Sequence, residues 1–438
     1  MKITFQFLNL LFWCGQLGFL VTNADEFARE TAEDRWRETL VHTTIFFRHG
    51  ARAPLHFIPN DFENRLETWP DGLGGLTELG ITQMRNLGRE VRARYDDFVD
   101  EIFSPRQLYA RSSSYDRTLL SAQVFLSGFY EKQRNKSEYN FVDVPVHTKP
   151  IEEDKELYFY VPCPAADDVY SKLMYENHKY IKLAENLVDV LTYLSKMGGF
   201  SKVPLPLHEF IKLYDPLKCE QIHGRKWPEW MNESMFEEIE RNYDTGSYLL
   251  VDDDKLKGLR VGPLYDEIVT RLNKLNEGLA DQKMYLYSCH DTTIGGLLAT
   301  LGMEADKYPQ FGAILTVELH KNATSNWLRF FYNEGLDDTD TFQEVFPKNC
   351  LWPCTVDKFV EFVTPYIPHN WDAECGFEWA VRREQVVNNS GSFDEAHDAV
   401  GQITVLGIQA VTIITLVLII VVQVVTLRQQ HGIFIINK

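Results

Sequence analysis

The residues TTIFFRHGARAPL (43–55) run apolar and β-branched for five positions, then set Arg48, His49 and Arg52 within five residues. The first half reads as a buried strand. Such a strand has no use for two guanidiniums and an imidazole at its end. The second half therefore reads as a site for something negatively charged.

Working outward, residues 40–47 form the strand that feeds RHGARAP. In TELGITQMRNLGREVRARY (77–95), Ile81, Met84, Leu87, Val91 and Tyr95 recur at helical spacing, and Thr77 can cap the start. QLYAR (107–111) reads as a short strand before a turn and a helix in SSYDRTLLSAQVFLSGFYE. The stretch 165–250 is richer in helical periodicity and tryptophan, with WPEWMNES as a break. A helix over about 261–277 precedes the strand KMYLYS (283–288). CHDTTIGGLLATLG (289–302) is a strand-to-helix turn whose helix ends at Gly302. AILTVEL (313–319) and WLRFFY (327–332) are strands, and TVDKFVEFVTPYI is a last helix. Strands alternating with helices predict an α/β fold, a mixed or parallel sheet flanked by helices. The expected core covers about 40–160 and 255–385, with a smaller helical cap over about 161–254.

The ends of the 438-residue chain carry address information. Lys2 is followed by an uncharged apolar run, then Thr22, Ala24 and Asp25, the pattern of a secretory signal (1–24) cut after Ala24; a retained anchor is the alternative. Residues 403–427 hold no charge over 25 positions, enough to span a bilayer. Arg428, His431 and Lys438 follow this run and acidic residues precede it, which puts the tail (428–438) in the cytoplasm. A single-pass type I membrane protein is expected, its lumenal or extracellular domain spanning 25–402 with a polar stalk at 386–402. Sequons at Asn135, Asn232, Asn322 and Asn388 agree with export. Past the signal, six cysteines remain, an even number that suggests disulfides, and Cys350 and Cys354 could close a small loop. The exported part holds 41 basic residues against 63 acidic, near −22. Such a surface repels nucleic acid, so an anionic ligand must be small and held in a local basic pocket.

In open α/β sheets ligands bind at the carboxyl ends of strands. Arg48, His49 and Arg52, then Arg111, then His290 and Asp291 all lie at such predicted ends. Arginine forks match phosphate oxygens. Neutral His49 can attack phosphorus, giving a phosphohistidine, and Asp291 can protonate the departing alcohol. His290 and the arginines can stabilise the transferring oxygens, helped by the N-terminus of the helix near Thr292.

FFRHGARAP with a later SCHDTT resembles the histidine acid phosphatase family, whose hallmarks are RHGxRxP near the mature N-terminus and a later HD. LTELGITQM and YARSSSYDRTLLSAQ resemble further family segments, and the likeness covers roughly 40–380. HDTT and the membrane tail resemble the animal lysosomal and prostatic type. The resemblance implies a phosphoglycerate-mutase-like core with a mostly helical second domain. It implies no metal or other cofactor, an acidic pH optimum, small phosphomonoesters as substrates and a homodimer among the partners. It assigns His49 as nucleophile, Asp291 as proton donor, and Arg48, Arg52, Arg111 and His290 as phosphate ligands. It pairs Cys163 with Cys375 and Cys350 with Cys354. Cys219 lacks its usual family partner, so Cys219 and Cys289 are left free or otherwise bonded, a free and buried Cys289 being preferred. The tail has no tyrosine, so a tyrosine-based lysosomal signal is absent and a surface or secretory-membrane location is favoured. Two other readings stay open: a metal-dependent phosphatase using His49, His290 and Asp291 as ligands, and a catalytically inactive phospho-ligand-binding membrane protein.

Overall fold

The computed structural model describes residues 36–136, 144–279, 282–303, 305, 307–336 and 342–377. The signal, stalk, apolar run 403–427, tail and Asn388 read from the sequence lie outside these. Among the described residues no helix is long and apolar enough to cross a membrane.

One mixed sheet organises the molecule. Its strands are β1 (Leu40–Arg48), β2 (Leu108–Ser112), β3 (Val146–His147), β4 (Met284–Cys289), β5 (Ile314–Lys321), β6 (Asn326–Asn333), β7 (Glu344–Val345) and β8 (Cys354–Thr355), in the order β3-β2-β4-β1-β5-β6-β7, with β8 also on β6. β1, β2, β3 and β4 pair in parallel, and β5 to β8 add antiparallel neighbours.

Alternation along β1 explains why its stretch 45–47 is apolar on both faces. Ile45 and Phe47 pack on one face with Met84, Leu87 and Val91 of α1 (Glu78–Arg94) and Phe125 of α2 (Asp116–Phe129). Phe46 packs on the other, among residues of two later helices described below. Both faces being covered, these positions take apolar side chains, while the buried His42, Thr43 and Thr44 of the same strand have their polar atoms hydrogen-bonded. Thr77 caps α1 by accepting the Gly80 N–H.

Between Pro164 and Leu249 the chain is mainly helical: α3 (Pro164–Glu176), α4 (His178–Asn186), α5 (Val188–Gly198), α6 (Ile211–Ile222) and α7 (Glu233–Leu249). These helices share a cluster of their own, including Tyr180, Leu191, Phe210, Leu217 and Phe236, joined by Ile58. The break WPEWMNES falls before α7, where the Asn232 Oδ1 accepts the Met235 N–H. The chain then re-enters the core through α8 (Gly262–Asn276), β4 and α9 (Asp291–Leu301). Leu264 and Ile268 of α8 and Ile294 and Leu298 of α9 cover the Phe46 face. Gly302 ends α9 at φ 64°, the left-handed conformation that glycine adopts at low cost.

Cys350 and Cys354 are bonded to each other. Cys163 and Cys375 are each disulfide-bonded, and Cys219 and Cys289 are both free and buried.

A buried carboxyl pair ties the loop after β1 to α6. Burial, then the Asp61 carboxylate that accepts its proton, pushes Glu220 up to about 9. The folded value exceeds the unfolded one, so stability is fully present below the unfolded carboxyl range and is lost as pH rises toward about 9. A neutral amide still donates to Asp61 without that penalty. Glu220→Gln is therefore expected to raise Tm relative to wild type by about 5 °C more at pH 8 than at pH 5. Equal shifts at the two pH values would contradict the shared proton.

Candidate active site

Three parallel strands deliver the site. β1 ends at Arg48 opposite Cys289, and the His49 N–H donates to the Cys289 carbonyl at 3.2 Å. β2 ends at Ser112 opposite Ser288, and the Ser113 N–H donates to the Ser288 carbonyl at 3.2 Å. Ser113, His290 and His49 thus stand at adjacent strand ends. The turn after His49 lies tight against the start of α1: a Cβ on Gly50 would sit 2.6 Å from the Gly80 carbonyl, and one on Gly80 would sit 2.1 Å from that of Ala51. Only hydrogen fits at both positions.

His49 is buried and its ring is fixed by two contacts. Its Nδ1–H donates to the Gly50 carbonyl at 3.0 Å, so Nε2 carries the lone pair. The Arg117 Nε–H donates to that lone pair at 3.1 Å. Burial, then Arg117, Arg48, Arg52 and His290, hold the imidazole well below its ordinary value, which keeps it neutral. The His290 ring lies 5.8 Å away, edge-on.

His290 is held by a chain of hydroxyls. Its Nε2 lies 2.8 Å from the Ser113 Oγ, which lies 2.9 Å from the Thr118 Oγ1. Thr118 donates to the Ser113 and Tyr115 carbonyls, each at 2.9 Å. Carbonyls only accept, so Ser113 donates to Thr118 and the His290 Nε2–H donates to Ser113. Burial, then Arg117, push His290 down to about 3, against the pull of Asp291.

Asp291, in the first turn of α9, holds Arg48 through Oδ2 at 2.7 Å and accepts the Thr292 N–H through Oδ1 at 2.8 Å. Burial pushes its carboxyl up, but Arg48, His290, the Thr292 N–H and Arg52 outweigh it, and the group titrates below its ordinary value. Arg48 also donates to the Pro309 carbonyl at 2.7 Å. Arg52 pairs with Asp215 of α6 at 2.8 Å, and the same carboxylate accepts the Leu55 N–H at 2.7 Å. The Phe311 ring lies 4.2 Å from the Arg48 guanidinium and 5.2 Å from that of Arg52, a cation–π seat for both.

One residue read from the sequence as a phosphate ligand stands elsewhere. The Arg111 guanidinium is taken up by Asp154, by Glu156 at 2.9 Å and by Glu267 at 3.1 Å. The third arginine beside His49 is Arg117, at the start of α2. Among the described residues it forms no ion pair. Burial, then Arg52 and Arg48, lower it to about 10. A cation in the first turn of a helix opposes the helix dipole, and that is the signal in the sequence that could have marked it. Ser113, Thr118, Asp215 and Phe311 carried no comparable signal.

Three guanidiniums therefore meet two carboxylates and two neutral imidazoles, leaving one positive charge in excess. Protonating Asp291 would raise the excess to two and release the Arg48 N–H that Asp291 holds. Such a pocket suits a tetrahedral oxyanion, with a nucleophilic nitrogen on one side and a carboxyl on the other.

A family model described as "Histidine phosphatase superfamily (branch 2)" matches residues 39–333. "Putative acid phosphatase 5" of Caenorhabditis elegans is 34% identical over 347 residues, 78% of this chain and 80% of that protein. Human "Prostatic acid phosphatase" is 30% identical, with 77% and 88% covered, and human "Lysosomal acid phosphatase" is 28% identical, with 77% and 80% covered. Among solved structures, the phytase of Citrobacter braakii superposes with a TM-score of 0.58 at 17% identity, covering 77% of this chain and all of that one. The apo phytase of Hafnia alvei gives 0.59 at 16%, covering 77% and 98%. At such identities the structural likeness is one of fold.

Proposed function

The chain belongs to the histidine phosphatase superfamily, branch 2, and from that membership we propose an acid phosphomonoesterase that hydrolyses small phosphate monoesters through a phosphohistidine at His49. The observation that carries the reading is the neutral His49 Nε2, fixed by the Gly50 carbonyl and ringed by Arg48, Arg52 and Arg117.

In the first step the Arg117 N–H moves from Nε2 to a phosphoryl oxygen, and the freed lone pair attacks phosphorus. The P–O bond to the alcohol breaks, and the alcohol oxygen takes the Asp291 proton. In the second step water attacks the phosphohistidine and gives its proton to the Asp291 carboxylate. The P–N bond breaks and phosphate leaves. Arg48, Arg52 and Arg117 hold the equatorial oxygens, and His290, oriented by Ser113, supports one of them.

Acid serves the reaction twice. It supplies the Asp291 proton, and it frees the Arg48 N–H that the carboxylate otherwise occupies. Because Asp291 titrates below its ordinary value, the protonated fraction falls as pH rises. Phosphate release is expected to decline from pH 4 toward pH 7 and to be unchanged by EDTA. A rise toward neutral pH would contradict the proton-donor role. Loss in EDTA would favour metal dependence, and tight phosphate binding with no turnover would favour a binding protein.

The remaining proposals rest on the sequence: export, a single span at 403–427 with a cytoplasmic tail, and residence at the cell surface or in a secretory or endolysosomal membrane. The relatives' names, lysosomal and prostatic, accord with a lumenal or secreted catalytic domain. Asn232 and Asn322 are exposed, which suits the glycans proposed there and at Asn135 and Asn388. A Cys163–Cys375 bond and a homodimer belong to the same reading.

A further inference from the structure

Beside Asp291 lies a cavity of about 120 Å³ walled by the side chains of the helical segment and the loop after α9. Tyr160, Tyr170, Tyr180, Tyr243, Tyr308 and Phe210 supply its rings. Thr292, the residue after Asp291, forms part of its wall, which ties the cavity to the catalytic carboxyl. Tyr243 and Tyr308 feel that carboxyl directly: burial first, then the Asp291 charge, raises both phenols. No lysine, arginine or carboxylate is among the lining residues. Its one imidazole, His208, faces Glu209 at 3.8 Å. The Tyr180 hydroxyl is buried and has no hydrogen-bond partner among the described residues.

These features set the size and chemistry of an occupant. A cavity of about 150 Å³ lined by apolar side chains takes up benzene, so this one suits a single ring. Edge-on tyrosines favour a flat apolar group with a polar atom for a phenol to meet. A leaving group bearing further phosphates would bring negative charge into a space whose described lining residues include no lysine or arginine to receive it.

We propose that this cavity is the leaving-group site and takes one uncharged aromatic ring, making aryl and arylmethyl phosphates the preferred substrates over sugar or polyphosphorylated ones. The proposal rests on the phosphomonoesterase reading above. Phosphate sits on His49 and the arginines, the ester oxygen faces Asp291, and the ring extends past Thr292 into the space walled by Tyr160, Tyr243 and Tyr308.

The test compares kcat/KM for benzyl phosphate and ethyl phosphate with the full-length protein at acidic pH. Both release an alkoxide of similar basicity, so the ratio reports the ring's binding and not its chemistry. Benzyl phosphate is expected to be favoured about 10- to 100-fold, the gain from burying one ring. A ratio within about threefold of unity overturns the cavity assignment and leaves the phosphatase reading standing. Hydrolysis of neither ester removes that reading and the assignment with it. Gly246→Leu adds a second arm. A Cβ there meets only the Leu183 Cδ2 at 3.7 Å, so the backbone accepts it, and the longer side chain takes up cavity space. The benzyl-to-ethyl ratio is expected to fall at least fivefold in this variant; an unchanged ratio in the folded variant counts against the assignment.

Discussion

His49→Ala is expected to lower phosphate release by about 10⁵-fold or more, to the level that binding and charge stabilisation alone sustain. The size follows from what the residue does. Without the imidazole no covalent intermediate forms, and water would have to attack phosphorus from the side His49 vacates, opposite Asp291, where no base is placed to activate it. The three guanidiniums stay, each held by contacts that do not involve the missing ring except the Arg117 Nε–H. Phosphate is therefore expected to bind the variant about as tightly as it binds wild type. Rapid acid-free quenching with a radiolabelled ester should trap label on the wild-type protein and none on the variant. An unchanged melting temperature would separate loss of chemistry from loss of fold. Wild-type turnover in the folded variant would move the nucleophile to another residue and end the phosphohistidine reading.

The parts of this protein that were legible in its sequence are those set by short-range rules. The β-branched and apolar stretch 43–47 of β1, the helical spacing of Met84, Leu87 and Val91, and the glycine that stops α9 each report local physics. His49, Arg48 and Arg52 were legible because a charged cluster directly after a buried strand is costly without a purpose. Arg111 misled for the same reason, standing at the end of QLYA. Its partners Asp154, Glu156 and Glu267 lie 43, 45 and 156 residues further on, and no window of the sequence brings them together. Arg117 was hidden inside a helical pattern, where a basic residue reads as a solvated position. The Asp215–Arg52 pair joins α6 to the loop after β1 across the helical segment, so it too belongs to the tertiary fold alone.

The two arginines give the other large prediction, because exchanging their roles exchanges the outcomes. Arg117→Ala is expected to reduce kcat/KM by about 10³-fold or more, the range found when a guanidinium that stabilises a transferring phosphoryl group is removed. Its stability is expected to hold, since among the described residues Arg117 pairs with no carboxylate and its neighbours Arg48 and Arg52 repel it. Arg117→Lys should recover little, for an ammonium cannot present two parallel N–H groups. Arg111→Met should do the reverse. It leaves Asp154 buried without its cation and Glu156 with Lys149 alone, a loss of about 3–5 kcal/mol for a broken buried ion pair. In a domain of this size that lowers Tm by about 10 °C, while the folded fraction keeps near-normal kcat. Thermal melts and initial rates on the same preparations distinguish the cases. If Arg111→Met lost turnover with Tm intact while Arg117→Ala kept both, the charge map drawn around His49 would be wrong, and the phosphate would have to be sought on the side of the sheet where Asp154 and Glu267 meet.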